Sequence, residues 1–85
     1  MENLTLKVCT PEGVLFDDQI ISVNARTVVG DVQILKNHAN YATAIEKGNV
    51  VIKTKTEEII GVCGGGFLSV NENEVRIITD KFEKE

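Results

Sequence analysis

Apolar and polar residues alternate with a period of two along most of this chain. In Leu4-Thr5-Leu6-Lys7-Val8 the three aliphatic side chains fall on one face, with Thr5 and Lys7 on the other. That is the pattern of a half-buried strand, whose successive Cβ atoms point to opposite faces. Thr10-Pro11-Glu12-Gly13 then supplies turn chemistry, because Pro presets φ and Gly admits a positive one. Apolar character resumes in Val14-Leu15-Phe16, breaks at Asp17-Asp18 and returns over residues 19–23 with Ile20, Ile21 and Val23. This predicts two short strands or one bent strand. Residues 26–35 form a further β region punctuated by Gly30-Asp31. The polar stretch Lys36-Asn37-His38-Ala39-Asn40 reads as a loop, with Asn37 suited to the left-handed conformation. Residues 41–45 predict a short strand and Glu46-Lys47-Gly48-Asn49 a turn. Residues 50–54 and 58–63 read as a hairpin around Lys55-Thr56-Glu57, and residues 67–70 and 74–79 as another around Asn71-Glu72-Asn73. In the last strand Val75, Ile77 and Thr79 share one face, while Arg76 and Ile78 share the other.

Turn signals recur about every eight to twelve residues, and no window of helix length carries a 3.6-residue apolar period. The predicted fold is all-β, a flattened antiparallel sandwich or barrel of about ten short strands. No linker, repeat or low-complexity run divides the chain. The expected domain is 1–79, followed by a charged tail, 80–85, expected to fray.

Composition sharpens this picture. At 85 residues the chain is one small domain, which hides only about 60–65% of the surface its unfolded form exposes. With three Phe, one Tyr and no Trp, its core must be built from Val, Ile and Leu, which suit a pleated surface. A net charge of −4 with nine scattered basic residues argues against a nucleic-acid surface, since no patch neutralises a run of phosphates. It argues equally against an anionic membrane surface. No apolar run reaches the roughly 20 residues of a membrane span. Met1-Glu2-Asn3 lacks the basic start and apolar core of a signal peptide. These features place the protein in the cytosol, or attached from the cytosolic side to something else. The two cysteines, Cys9 and Cys63, are expected to be buried, inert thiols rather than a disulfide. With one His they are too few to ligate a metal.

Candidate chemistry is sparse. His38 is the single imidazole, and Cys9, Cys63, Ser and Thr lie in no nucleophile motif. A phosphate-binding loop opens a helix, whereas Gly64-Gly65-Gly66 is followed by strand-like Phe67-Leu68-Ser69-Val70; a bulge, tight turn or close backbone approach fits better. Asp17-Asp18 and Glu57-Glu58 are chain neighbours, which a strand sends to opposite faces. The residues support no catalytic centre and no cofactor. They support a binding module, with exposed apolar residues such as Ile78 or Val51 and the loop around His38 as contacts.

Three segments in order identify a family resemblance. Thr10-Pro11-Glu12-Gly13 with Phe16, then Gly30-Asp31-Val32-Gln33-Ile34-Leu35 with His38-Ala39, then Gly65-Gly66-Phe67-Leu68 with Val70 resemble the β-domain of the epsilon subunit of F-type ATP synthases. Thr43-Ala44-Ile45 with Gly48 and Ile78-Thr79-Asp80 extend the likeness across nearly the entire chain. The resemblance implies a non-catalytic ten-stranded sandwich at the foot of the central stalk. It would dock on the gamma subunit and the c-ring, peripheral to the cytoplasmic face of the membrane, and couple ion-driven rotation to ATP synthesis. It places Gly30, Asp31 and Val32 at the c-ring, and Thr10, His38, Thr43 and Gly64 on or beside the gamma-facing side.

Lys36-Asn37 stands where the family has Pro-Gly, and Gln33 where it has Gly. Asn37 can replace a glycine at positive φ, but without the Pro the loop is expected to be less rigid. The helical hairpin that follows the sandwich in many relatives has no counterpart in residues 80–85, so coupling without hairpin-mediated inhibition is expected. Three other readings compete. One is a β-sandwich adaptor with another partner. A second is a lipoyl- or biotinyl-type carrier using Lys55, although the surrounding motif is missing. The third is a small enzyme centred on His38.

Overall fold

The computed structural model describes residues 3–85; residues 1 and 2, part of the expected domain 1–79 and of the start Met1-Glu2-Asn3, lie outside the described residues. It contains ten strands. They are β1 (Thr5–Thr10), β2 (Gly13–Gln19), β3 (Ser22–Thr27), β4 (Gly30–Leu35), β5 (Tyr41–Ile45), β6 (Gly48–Lys53), β7 (Glu58–Cys63), β8 (Gly66–Asn71), β9 (Glu74–Thr79) and β10 (Phe82–Lys84). Their order is β10-β7-β6-β3-β5-β8-β9-β1-β2, with β4 on β3. The ladder is nearly severed between β3 and β5, where the register holds the single pair Thr27↔Ile45. The sheet therefore folds into two halves, β10-β7-β6-β3-β4 and β5-β8-β9-β1-β2, closed over one core.

Period-two alternation explains what fills that core. Leu4, Leu6 and Val8 are buried together with Leu68, Val70, Val75 and Ile77 of the neighbouring strands. Val23, Ala25, Ile34, Val50, Ile52 and Cys63 face them from the other half. Burying each such aliphatic side chain contributes about 1.5–3 kcal/mol. The expected alternation in β9 holds, with Val75, Ile77 and Thr79 inside and Arg76 and Ile78 outside.

Four details depart from the sequence-based expectation. The pairing of β1 with β9 is parallel, Leu6 opposite Val75 and Val8 opposite Ile77. Alternation is identical for both directions, so only the crossover of the chain decides this. The break between β2 and β3 falls at Ile20-Ile21, while Asp17-Asp18 stay inside β2. A bulge explains the unbroken Val14-Leu15-Phe16. Val8 pairs with Phe16 and Cys9 with Val14, so Leu15 is the extra residue and the register shifts by one. Cys63 is buried, but Cys9, expected to be buried as well, is only half-buried; both are free.

The fourth departure is the tail. Residues 80–85 do not fray, for β10 pairs with β7 and the Glu85 amide donates to Ile60 O at 2.8 Å. Phe82 is buried against the core. A Cβ on Gly61 would sit 2.5 Å from the Phe82 ring, so the glycine makes the seat for the aromatic. Charge density around Phe82 hid this strand, because its one buried side chain needs the vacancy left by Gly61, far earlier in the chain.

Candidate docking surfaces

Two chemically distinct surfaces emerge from these elements. The first is the tip of the β3–β4 hairpin. Thr27 is paired with Gly30, and its hydroxyl donates to Gly30 O at 2.6 Å while accepting the Val29 amide at 3.1 Å. Gly30 takes φ 127°, a value that side chains with a Cβ disfavour. The turn therefore closes without help from its two central side chains. Val28 is 57% and Val29 80% exposed, and the Val28 amide is tied to Ala44 O at 3.2 Å. Asp31, just past the tip, pairs across the hairpin with Arg26 (Nε–Oδ1 3.4 Å), both side chains largely in solvent. Such a pair contributes little to stability. Of the residues expected at the c-ring, Gly30 and Asp31 are exposed, whereas Val32 is half-buried and packs on the core. The sequence reading passed over Val28 and Val29. The available signal was two β-branched apolar residues immediately before a turn glycine, where a turn usually carries polar residues.

The second surface is the outer face of β5-β8-β9-β1-β2. Register aligns Ala44 with Phe67, Phe67 with Ile78, Ile78 with Cys9 and Cys9 with Val14. These residues form one row crossing five strands. Phe67 and Ile78 are 65% and 54% exposed. The next outward row is Ala42, Ser69, Arg76, Lys7 and Asp17, so the same face changes from apolar to charged within one pleat repeat. On the other half, outward-facing Asn24, Val51 and Ile60 align, and Val51 and Ile60 are half-buried. Of the contacts expected from sequence, Ile78 is therefore exposed and Val51 is partly covered.

The residues expected at the gamma-facing side fall into two groups. Thr10 and Gly64 line one open depression with Pro11, Gly65, Phe67 and Ile78, along one flank of the apolar row. Thr10 caps its own turn, donating to Gly13 O and accepting the Glu12 amide. The glycine run opens β8 rather than a helix. A side chain on Gly66 would strike the carbonyl of Ile78, and one on Gly64 the carboxylate of Asp80. His38 lies at the opposite end of β5, edge-on to Tyr41 with ring centroids 5.8 Å apart. Its Nδ1 lies 2.6 Å from Ala39 O. Thr43 pairs with buried Leu68, sits half-buried, and donates to Ala44 O at 3.3 Å. The structure thus brings Thr10 and Gly64 together, and places His38 and Thr43 elsewhere along β5.

The remaining candidates for chemistry stay apart. Asp17 and Asp18 are both exposed on successive positions of β2. Glu57 and Glu58 flank the start of β7, with Glu58 within 3.9 Å of the Lys53 ammonium. Lys55 is exposed on the β6–β7 turn. Among the described residues no three His, Cys, Asp or Glu side chains gather as metal ligands.

The described residues form a helix-free β-sandwich whose surface features, an apolar row and an apolar hairpin tip, are of the kind that mark protein docking surfaces. The chain belongs to the family described as ATP synthase, Delta/Epsilon chain, beta-sandwich domain, whose model matches residues 3–85. It is 34% identical over 84 residues to the ATP synthase epsilon chain of Dehalococcoides mccartyi, covering 99% of this chain and 60% of that protein. It is 31% identical over 83 residues to the chloroplastic epsilon chain of Ipomoea batatas, covering 95% and 62%. The chain thus spans about three fifths of these curated relatives. Among solved structures, the fold matches a chain of the Euglena gracilis mitochondrial ATP synthase OSCP/F1/c-ring assembly. The TM-score is 0.90 at 19% identity, over 96% of this chain and 53% of that one. It also matches a chain of the Tetrahymena thermophila mitochondrial ATP synthase central stalk and c-ring. There the TM-score is 0.83 at 16% identity, over 95% and 66%.

Proposed function

We propose that this domain is a non-catalytic central-stalk element of an F-type ATP synthase, docking on the gamma subunit and the c-ring so that ion-driven ring rotation reaches the catalytic head. The observation that carries the reading is the in-register row Ala44–Phe67–Ile78–Cys9–Val14. An exposed apolar row on a sheet otherwise dressed in charge is unfavourable in water and is relieved by a partner. A torque-bearing contact also favours a sheet, whose side chains are held on rigid elements, over a loop. Gamma is assigned to this face and its borders, with Thr10 and Gly64 at one end of the strands and His38 at the other; Thr43, paired with buried Leu68 on the inner side of β5, is left out of the assignment. The c-ring is assigned to the β3–β4 tip, with Gly30 and Asp31 joined by Val28 and Val29, while Val32 anchors the hairpin from beneath. The described residues contain no helix, and their role is coupling and assembly at the cytoplasmic face of the membrane, peripheral to it.

Co-expression with the gamma subunit of the same organism tests this. Co-elution in equal amounts on size exclusion, lost in Phe67→Glu and Ile78→Glu while circular dichroism is unchanged, is the expected result. Separation of two folded proteins at both low and moderate salt would overturn the gamma assignment and leave an adaptor with another partner.

A further inference from the structure

The loop carrying His38 contains no proline, yet it is held. Asn37 takes φ 67°, a conformation that Gly and, less readily, Asn and Asp adopt routinely. Its amide donates to Asn73 Oδ1 at 2.7 Å, across 36 residues of sequence. In the opposite sense, the Glu72 amide donates to Asn40 Oδ1 at 3.1 Å. Each loop thus lends an Asn side chain to a backbone amide of the other. Glu72 and Asn73 are themselves at φ 52° and 66°, the conformation of a tight two-residue hairpin turn. Asn73 is buried, at 7% exposure, and its carbonyl receives the Thr5 amide at 2.9 Å. One residue therefore joins the start of β1, the β8–β9 turn and the β4–β5 loop. Between the two stitch points lies His38, its amide bound to Leu35 O at 3.1 Å and its ring against Tyr41.

We infer that Asn73 and Asn40 are positioning residues: a reciprocal amide stitch that sets the His38 loop against the β8–β9 turn and so shapes this end of the docking surface. The inference rests on the docking reading above for its consequence, though not for its geometry. The stitch replaces covalent stiffening by two hydrogen bonds whose acceptors are side chains of a single type, spaced to match a two-residue turn. A loop held only by its own residues would show local bonds alone.

Amide hydrogen exchange on the full chain tests the geometry first. Asn73→Gly keeps the positive φ and the carbonyl used by Thr5 but deletes the acceptor for Asn37. The Asn37 amide should then exchange about tenfold faster, as expected for loss of one part-buried hydrogen bond, with Leu6 and Ile77 unchanged. Asn73→Asp, whose carboxylate can accept the same amide, should restore slow exchange. Unchanged Asn37 exchange in Asn73→Gly overturns the stitch. If that variant does not fold, Asn40→Ala with the Glu72 amide as reporter decides by the same criterion. Titration with the gamma subunit of the same organism tests the consequence. Weaker binding by Asn73→Gly and Asn40→Ala, with recovery in Asn73→Asp, supports positioning. Binding equal to the parent's, with faster loop exchange, overturns it. Absence of binding by the parent overturns the docking reading and the positioning role together, while the exchange result still decides the stitch.

Discussion

The β1–β2 and β3–β4 turns are built alike and finished differently. Thr10 and Thr27 each donate a hydroxyl to the carbonyl of a glycine three residues on, and each accepts the amide between. Gly13 and Gly30 take nearly the same φ, 123° and 127°. Thr54 repeats the hydroxyl bridge in the β6–β7 turn, donating to Glu57 O at 3.2 Å. The central residues are Pro11-Glu12 in the first turn, Lys55-Thr56 in the third and Val28-Val29 in the second. Threonine with its backbone partners closes the turn in every case, so the tip residues are free to vary. Pro11-Glu12 and Lys55-Thr56 are what water selects. The side chains of Val28 and Val29 answer to no demand of the fold, which is why the proposed docking assigns them to a contact outside it.

Four substitutions break or sharpen this comparison. Thr27→Ala should cost most, about 2 kcal/mol, because it leaves two partly buried backbone groups without their partner; the urea midpoint reads it, and a loss no larger than that of Thr10→Ala would mean the two turns are not held alike. The double change Val28→Ser, Val29→Glu gives the second turn a polar tip. It should leave the midpoint within about 0.5 kcal/mol yet weaken docking on the c-ring by about tenfold, roughly 1.4 kcal/mol. Equal docking would remove the tip from the interface. Thr10→Ala, in an exposed turn, is expected to cost about 0.5–1 kcal/mol in the same unfolding experiment. Smallest is Asp31→Asn, which breaks only the exposed pair with Arg26 and should shift stability by under about 0.5 kcal/mol; a larger shift would show that the pair braces the hairpin.

Legibility in the sequence followed the range of the interaction. Strands whose partner is the next strand, such as β6 with β7 and β8 with β9, were readable from alternation and turn residues alone. The β2 boundary was displaced because a bulge at Leu15 resets the period. β10 was missed because Phe82 means little without Gly61 beneath it. For the surfaces, pattern and resemblance pointed to Ile78 and Asp31, both of which are exposed. The row was invisible, since Cys9, Ala44 and the Phe67–Ile78 pair lie far apart in the chain and meet only through register. The loop expected to be slack, with Lys36-Asn37 lacking a proline, is bonded across to Asn73.

By itself the sequence determined what each residue asks of its neighbours a few positions away. It set the period-two faces, the turns demanded by Gly13, Gly30 and Asn37, a core of small aliphatic residues and a family visible in three ordered motifs. Tertiary structure alone decided the parallel seam between β1 and β9, the seating of Phe82, the amide stitch between two distant turns and the apolar row across five strands. Local preferences act through backbone dihedrals and are written in adjacent residues, whereas pairing register is settled only when separate segments compete to bury their apolar faces in one shared interior.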